Sequence, residues 1–185
     1  MDMPDVVFDH YLLRTLKLSD YKDYFEIGKN SENITYLTWR PFLKKKDAKA
    51  MLETYLRRSY RHEPVGYAIV DLTKHVMIGI IEFHTFDYIK NQAEVGYLLH
   101  QDYWNQGIMK KAVKALIKVG FEYVELEAII IRSLKENIAS IKVIEHNNLA
   151  LVSIDKNAHY HEKTKTFHDI ITYRITKERY YGTKT

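Results

Sequence analysis

The segment of this chain best suited to chemistry is Asn105-Gln106-Gly107, which follows a β-favouring apolar run and precedes a stripe of helical periodicity. The first amides of a helix have no hydrogen-bond partner within the helix, and the helix dipole places about half a positive charge there. Gly107 has no Cβ, so a ligand can approach its backbone closely. The segment therefore predicts a binding site for an anion such as a phosphate, with an ordinary strand-to-helix connection as the alternative.

A second polar segment follows about 30 residues further along and contains Glu136-Asn137 and then Ser140. Asn137 is typical of a helix N-cap, because its side-chain oxygen can accept a hydrogen bond from a backbone amide of the first turn. Ser140 would lie in that first turn. Neither segment is specific alone, so the interpretation depends on their occurring together.

Together the two segments resemble the cofactor-binding motifs of the GNAT acetyltransferases, which transfer an acetyl group from acetyl-CoA to an amine. The branch with the most similar pattern includes the ribosomal-protein N-terminal acetyltransferases (RimJ/RimL-like). The resemblance covers the whole chain loosely and residues 76–149 strongly. The residues that carry it are Ala93-Glu94-Val95-Gly96-Tyr97, Tyr103-Trp104-Asn105-Gln106-Gly107-Ile108, Glu136-Asn137, Ser140, Val143, Ile144 and Glu145.

Several positions depart from the wider family pattern, among them Trp104 in place of Gln or Arg at the start of the loop and Asn148-Leu149 in place of Gly-Phe. Met109 stands where a small residue is usual, and a larger side chain there would crowd the pyrophosphate of the cofactor. Ile144 stands where many family members have a tyrosine that protonates the departing thiolate, and isoleucine cannot donate a proton. Asn148 replaces a glycine, but asparagine tolerates the left-handed conformation, so we expect the turn to survive.

The resemblance implies an α+β fold, the GNAT (acyl-CoA N-acyltransferase) fold. Its mixed, mostly antiparallel central sheet would have about seven strands flanked by about four helices, with strands 4 and 5 splayed apart. Length and composition predict a single domain over residues 1–185. Hydrophobic periodicity and turn residues give the same order of elements. They are a strand in 6–16, a helix over 20–29 capped by Ser19, a helix from Lys44 or Asp47, strands over 66–71, 76–86 and 92–99, a helix through Ile108 and Val119, a strand over 128–132, a helix from Asn137 to about Asn147, and strands over 151–155 and 167–175.

The resemblance also implies which residues bind acetyl-CoA. The backbone of Leu98 and Leu99 would pair with the pantetheine amides as an added strand does. Asn137 would hydrogen-bond the pantetheine arm, and Ser140 would lie near the sulfur. Trp104 occupies the first position of the pyrophosphate loop, and the residues that would present amides to the pyrophosphate are Asn105, Gln106, Gly107, Ile108 and Met109.

Acetyl transfer needs a neutral amine, and Glu94 is our candidate for the base, with a structural salt bridge as its alternative role. Glu82, on the adjacent strand, is the rival, and a chain of waters is also sufficient for an α-amine. Deprotonating an α-amine at pH 7 costs about 1.4 kcal/mol, against about 4.6 kcal/mol for a lysine. Ser140, or a water that it holds, would protonate the thiolate, and Tyr97 is a weaker choice.

Trp39 and Phe42 lie between the first two predicted helices, where this fold often lines the acceptor site. They are candidate walls of that site, together with Glu82 and Tyr97, although packing of the connection onto the core is an alternative for both aromatic residues. The acceptor would be a protein N-terminus or a small-molecule amine. The alternative function is a catalytically inactive module that binds acyl-CoA or another protein.

Composition limits the remaining classes of function. The chain carries a net charge of +4 and contains no cysteine, which excludes an acetyl-cysteine intermediate and makes transfer direct. The absence of a signal segment or an apolar span predicts a cytoplasmic protein with no membrane partner. We expect no metal, because His159, His161 and His168 lack ligand spacing and are better assigned to a flexible loop. Nucleic acid is disfavoured as a partner, and a homodimer is left open.

Overall fold

Eight strands and five α-helices make up the part of the chain described by a computed structural model, namely residues 3–161 and 164–182. The strands are β1 (Val6–Phe8), β2 (Tyr11–Thr15), β3 (Tyr67–Asp71), β4 (Val76–Asp87), β5 (Gln92–Leu99), β6 (Ala128–Leu134), β7 (Ala150–His161) and β8 (Thr166–Thr176). The helices are α1 (Tyr21–Gly28), α2 (Lys45–Leu56), α3 (Ile108–Glu122), α4 (Ile138–His146) and α5 (Lys177–Gly182). The hydrogen-bonded strand order is β1-β2-β3-β4-β5-β6-β8-β7.

The chain divides into two compact units. The first comprises the described residues up to Phe83 together with Gly96–Leu116, and the second comprises His84–Val95 and the described residues from Ile117 onward. The single domain predicted over residues 1–185 stays a prediction. Within the described residues, no helix has both the length and the apolar character needed to cross a membrane.

The sheet of the first unit is antiparallel and built around β3, whose five residues are all buried. Leu13 of β2 lies opposite Ile69 of β3, and Ile69 lies opposite Gly79 of β4. The predicted first strand is divided into β1 and β2, because Asp9 adopts a positive φ of 50° and reverses the chain into a hairpin. This division explains why the sheet has one strand more than expected.

Helices α1 and α2 pack on this sheet through a cluster of buried side chains. The cluster includes Ile27 and Tyr24 from α1, Ala48 and Leu52 from α2, and Ala68 from β3. These helical residues recur every three or four positions, which is the spacing of an amphipathic helix with one buried face.

The prediction that Ser19 caps α1 is wrong. A short 3-10 turn over Leu18–Asp20 precedes the helix, so Asp20 is the residue before its first turn. The buried carboxylate of Asp20 accepts hydrogen bonds from the backbone amide of Lys17 at 2.8 Å and from both terminal nitrogens of Arg14 at 2.7 and 2.9 Å. Asp20 therefore joins the end of β2 to the start of α1 through a two-point ion pair.

The second unit is built on β6. Residues Gln92–Glu94 of β5 pair with Ala128–Ile130 in parallel, and β8 pairs with the other side of β6 in antiparallel orientation. Strands β5 and β6 are the fourth and fifth strands of the sequence prediction. The three-residue ladder between them is short compared with either strand, as the predicted splaying requires.

Helix α4 begins after Asn137, which confirms the predicted cap. The side-chain oxygen of Asn137 accepts a hydrogen bond from the backbone amide of Ser140. Asn148 follows the helix with a φ of 59°, the left-handed conformation expected where the family pattern has glycine. Helix α5 was not anticipated from the sequence.

The assignment of the histidines near residue 160 to a flexible loop is wrong. His159 and His161 belong to β7, and they pair with His168 and Thr166 of β8. The ring centroids of His161 and His168 lie 5.5 Å apart. The Nδ1 atom of His168 lies 3.1 Å from a carboxylate oxygen of Glu136. Cross-strand pairing, which the local sequence does not reveal, orders this hairpin. Over the described ranges there is no group of three His, Asp or Glu side chains arranged to hold a metal.

Asn33 ties the irregular connection between α1 and α2 to the end of β5. Its amide nitrogen donates to the carbonyl of Ile27, and its oxygen accepts from the backbone amide of Gln101, both at 2.8 Å. Asn33 is 8% exposed, so water is largely excluded from both bonds. The turn that follows β5 is thereby fixed to the first helix.

We expect Asn33→Ala to destabilise the protein by about 2 kcal/mol or more, because two backbone groups in the interior lose their partners. Thermal or urea unfolding measures this change. Asn30→Ala is the control, since the Asn30 side chain accepts from the amide of Glu32 at an exposed position where water can replace it. Equal losses of stability in the two variants would contradict the assigned role of Asn33.

Candidate active site

The turn between β5 and α3 has the open backbone that an anion site needs. Asn105 and Gly107 both have positive φ values, 59° and 75°. A Cβ built on Gly107 would meet no described atom within 4 Å beyond the neighbouring residues of the chain, so the space next to this glycine is open. The amide side chain of Gln106 donates to the carbonyl of Asp102 at 2.9 Å and closes the turn. A ligand can therefore approach the first amides of α3 without displacing a side chain.

The side chains of Ile108 and Met109 lie inside the first unit, at 3% and 8% exposure. Met109 is thus directed to the interior rather than into the open space before Gly107. The expected crowding of the pyrophosphate by Met109 stays a prediction.

The turn is supported at both of its ends. The indole nitrogen of Trp104 donates to the carbonyl of Leu99 at 2.8 Å, and the backbone amide of His100 donates to the carbonyl of Ile78 at 2.8 Å. The hydroxyl of Tyr103 donates to Asp71 at 3.2 Å. The side chain of Trp104, a predicted site residue, therefore links the turn to the end of β5.

Asp71 is a fixed charge beneath this turn. Burial alone would raise its pKa, but hydrogen bonds from Thr73, Lys74 and Tyr103 outweigh that effect and lower the pKa to about 2. Asp71 is therefore ionised over the whole physiological range. It holds the β3–β4 hairpin and the turn together throughout that range.

The end of β5 passes unusually close to Gly79 of β4. A Cβ on Gly79 would lie 2.5 Å from the carbonyl oxygen of Leu98 and 3.1 Å from the side chain of Leu99. Only glycine leaves room for a carbonyl at that distance. Gly79 therefore sets the position of the Leu98 and Leu99 backbone, which is the backbone predicted to bind pantetheine.

Two residues predicted as acceptor walls are packed together. The rings of Trp39 and Phe42 stack at 4.8 Å, and Tyr24 meets Phe42 edge-on at 5.1 Å. Phe42 is buried, whereas Trp39 is partly exposed. A Cβ on Gly28 would lie 2.4 Å from the Phe42 ring, so glycine at the end of α1 makes room for this packing. Phe42 thus belongs to the buried core of the first unit, and the role of both residues as acceptor walls stays a prediction.

Glu82 lies at the centre of a buried polar cluster in the same unit. Its carboxylate is ion-paired with Arg58 and hydrogen-bonded with Tyr55, which in turn is hydrogen-bonded with Tyr24. The Arg58 guanidinium also packs over the Tyr55 ring at 4.8 Å and donates to the carbonyl of Phe83 at 3.0 Å. Burial raises the pKa of Glu82 although Arg58 opposes the shift, and burial raises the pKa of Tyr55 and Tyr24 as well.

The second unit contains the other candidate base. Glu94 is half-buried in β5, and its one ion pair among the described residues is with Arg132 at 3.9 Å. Burial raises the pKa of Glu94, and Arg132 lowers it in part. Because the opposing charge is distant and itself 44% exposed, its influence on the carboxylate is small.

The N-terminus of α4 holds the remaining predicted residues. Ser140 is 8% exposed, and its backbone amide donates a hydrogen bond to the side-chain oxygen of Asn137 at 3.1 Å. The Asn137 amide nitrogen has no hydrogen-bond partner within the part of the chain that the structure describes. Ile144, one turn further, is fully buried and belongs to the core. Asn137 can thus cap the helix with one atom and bind a ligand with another.

The structure groups Glu82, Trp39 and Phe42 in the first unit, where half-buried Tyr97 also lies, and Glu94, Asn137 and Ser140 in the second. Sequence reasoning missed Tyr24, Tyr55 and Arg58. No local signal identified them, because the cluster joins two helices to a strand. Gly79 could have been found, since a glycine inside a strand is a recognised sign of close backbone approach.

The sequence of this chain is similar to a known protein family and to several of its members. A family model described as an acetyltransferase (GNAT) domain matches residues 10–149. The uncharacterized N-acetyltransferase p20 of Bacillus licheniformis is 24% identical over 180 residues, which are 97% of this chain and 100% of that protein. The ribosomal-protein-serine acetyltransferase of Escherichia coli (strain K12) is 31% identical over 84 residues, covering 45% of this chain and 47% of that protein.

Among solved structures, the ribosomal-protein alpha-N-acetyltransferase RimL in complex with coenzyme A matches with a TM-score of 0.85 and 22% identity. The match covers 94% of this chain and 98% of that one. It confirms the fold class inferred from the two sequence motifs.

Replacing Gly79 by alanine should weaken coenzyme A binding and lower stability by about 1–3 kcal/mol, because the Leu98 carbonyl must move away from the new methyl group. Isothermal titration with coenzyme A and thermal unfolding measure the two effects. The matched control is Gly182→Ala, where an added Cβ meets nothing within 4 Å. Wild-type affinity in the Gly79 variant would show that the Leu98 backbone takes no part in binding.

Proposed function

This chain belongs to the GNAT acetyltransferase family, and from that premise we propose that it transfers the acetyl group of acetyl-CoA directly to a primary amine, either a protein N-terminus or a small-molecule amine. The observation that carries the proposal is the open turn before α3. The helix N-terminus that follows the turn, and the room for an added Cβ at Gly107, suit the pyrophosphate of a coenzyme.

In this proposal, the backbone amides of residues 105–109 bind the pyrophosphate, and the Leu98 and Leu99 backbone binds the pantetheine amides. Asn137 adds a hydrogen bond to the pantetheine arm through its amide nitrogen. These contacts hold the thioester in one orientation. Orienting the thioester and the amine contributes more to the rate than proton transfer does, since effective molarities of about 10⁵–10⁸ M are attainable.

The reaction is a direct exchange at the thioester carbonyl. The amine nitrogen forms a bond to the carbonyl carbon, and the bond from that carbon to sulfur breaks. The amine loses one proton to a base, and the thiolate gains one. With no cysteine in the chain, an acetyl-cysteine intermediate is excluded. Ser140, or a water that it holds, supplies the proton to the thiolate, because Ile144 cannot.

Glu94 is the base in this scheme. The Glu82 carboxylate is already engaged by Arg58 and Tyr55, so a proton placed on it would weaken a buried ion pair. The Glu94 carboxylate has one distant cation beside it. Burial raises its pKa toward the working pH, which suits a general base. Glu82, with Trp39, Phe42 and Tyr97, then lines the side from which the amine enters.

Gly107→Asp should weaken coenzyme A binding about 100-fold or more, because a carboxylate would face the pyrophosphate and like charges brought together cost several kcal/mol. Isothermal titration measures the affinity. Gly107→Asn is the matched control, since asparagine has the same shape and tolerates a positive φ without adding charge. If the two variants bound coenzyme A equally well, the turn would not be the pyrophosphate site.

Glu94→Gln should lower kcat about 10²–10⁴-fold and leave the affinity for coenzyme A unchanged. In the wild type, kcat/KM should fall as the pH falls through the raised pKa of Glu94, because the protonated carboxyl cannot accept the amine's proton. The glutamine variant should lose that dependence. A thiol-release assay over a panel of amines, run from pH 5 to 9, measures both effects.

Glu82→Gln is the comparison for this experiment. If it lost the acidic limb of the pH profile and Glu94→Gln retained it, Glu82 would be the base. Tight coenzyme A binding by the wild type without turnover of any amine would instead indicate the inactive binding module.

A further inference from the structure

The charge of this chain is concentrated in one segment of the first unit. Residues 40–63 contain eight Lys and Arg against three Asp and Glu, a net charge of +5, whereas the whole chain carries +4. The remainder of the chain therefore has a net charge of −1. The members that are exposed and lie outside any ion pair of the described residues form what we call the basic surface: Arg40, Lys44, Lys45, Lys46, Lys49 and Arg57.

The three acidic residues of the segment offset this charge only in part. The carboxylate of Asp47 accepts hydrogen bonds from the backbone amides of Leu43 and Lys44 at 3.0 and 2.8 Å, which commits it to the start of α2. Glu63 is paired with Arg61 at 3.1 Å. Glu53, the third, is half-buried in α2 and forms no ion pair among the described residues, so the segment keeps a net charge of +5.

The placement of three of these lysines disfavours the helix that carries them. Lys44, Lys45 and Lys46 stand at the cap and the first two positions of α2, where the helix dipole is positive. Cations at this end lower helix stability, and neutral or acidic residues would serve the fold better. Charge kept at a position where it opposes folding points to a role in binding an anionic partner.

The basic surface flanks the proposed acceptor wall along the chain. Arg40 lies between Trp39 and Phe42, and Lys44 follows two residues later. At the other end of α2, Arg57 adjoins Arg58, whose side chain holds Glu82. A partner bound by these cations would be brought to the walls that receive the amine.

The chemistry of the reaction selects among anionic partners. This step rests on the proposed transfer to an amine. A polypeptide with acidic side chains carries both carboxylates and a nucleophilic amine at its N-terminus, whereas a nucleic acid carries no aliphatic primary amine. The side chains of Leu43 and Tyr60, each 85% exposed, lie in the same segment and offer apolar contacts to a polypeptide.

We propose that the basic surface on α2 and its flanking residues binds an acidic polypeptide and delivers that polypeptide's amine to the wall formed by Trp39 and Phe42. The basic surface mainly raises the rate at which the polypeptide associates with the protein. Charge complementarity raises association rates by about 10–10³-fold, and the gain falls as salt screens the charges.

Three peptides of equal length with the same first three residues test the proposal. Their remaining positions are rich in Asp and Glu, in Gln, or in Lys and Arg. Acetyl transfer is followed by thiol release, and binding by the fluorescence anisotropy of a dye at the C-terminus. We expect kcat/KM for the acidic peptide to exceed that for the basic peptide about tenfold or more at 50 mM salt, and the difference to shrink at 500 mM.

The test variant combines Lys44→Gln, Lys45→Gln, Lys46→Gln and Lys49→Gln. It should reduce the preference for the acidic peptide to within about twofold, leave the KM for acetyl-CoA unchanged, and unfold at the same or a higher temperature. The matched control removes four exposed lysines elsewhere: Lys17→Gln, Lys22→Gln, Lys156→Gln and Lys165→Gln. It has the same net charge and should keep the preference.

Equal kcat/KM for the three peptides, or loss of the preference in the control variant as well, would overturn the proposal. So would a single-stranded oligonucleotide that binds more tightly than the acidic peptide and is released by the test variant, since the surface would then be a nucleic-acid site. If no peptide is acetylated, transfer to a polypeptide amine is refuted and transfer to a small-molecule amine is left, but anisotropy still decides the docking surface. Binding of the acidic peptide that the test variant loses supports it, and equal binding by both proteins refutes it.

Discussion

The approach of the Leu98 carbonyl to Gly79 is the constraint on which the proposed coenzyme site depends. The carbonyl oxygen of Leu98 lies 2.5 Å from where a Cβ of residue 79 would stand, so only glycine fits at that position. It determines where the last residues of β5 lie, and therefore where the turn to α3 starts. Trp104, Asn33 and Asp71 then hold that turn through hydrogen bonds to its backbone and to Tyr103. These hydrogen bonds fix the turn that leads to Gly107.

The two glutamates illustrate how environment separates similar side chains. Both carboxyl groups have a pKa raised by burial. Glu82 has a close arginine and a tyrosine as partners, so its ionised form is bound within a network that shapes the first unit. Glu94 has only a distant, partly exposed arginine, so its carboxylate remains available to take a proton. The difference follows from the distance of the opposing charge, not from the residue type.

The local motifs were predictable because each is contained in a few consecutive residues. The strand from Gln92 to Leu99, the turn at Gly107 and the cap at Asn137 all depend on neighbours in the chain. The predictions failed where contacts are distant. Asp20, not Ser19, precedes α1, and its carboxylate binds Arg14 of β2. The histidines near residue 160 pair across a hairpin whose pairing is not encoded locally.

The sequence by itself determined the family, the order of the elements and the segment that would meet a phosphate, because periodicity and turn residues act over a few positions. It also determined the concentration of positive charge in residues 40–63. Only the tertiary structure decided that Tyr24, Tyr55 and Arg58 surround Glu82, and that Gly79 lies against Leu98. Those contacts join residues far apart in the chain, and only the folded molecule both buries these polar groups and supplies the partners that offset the cost of burying them.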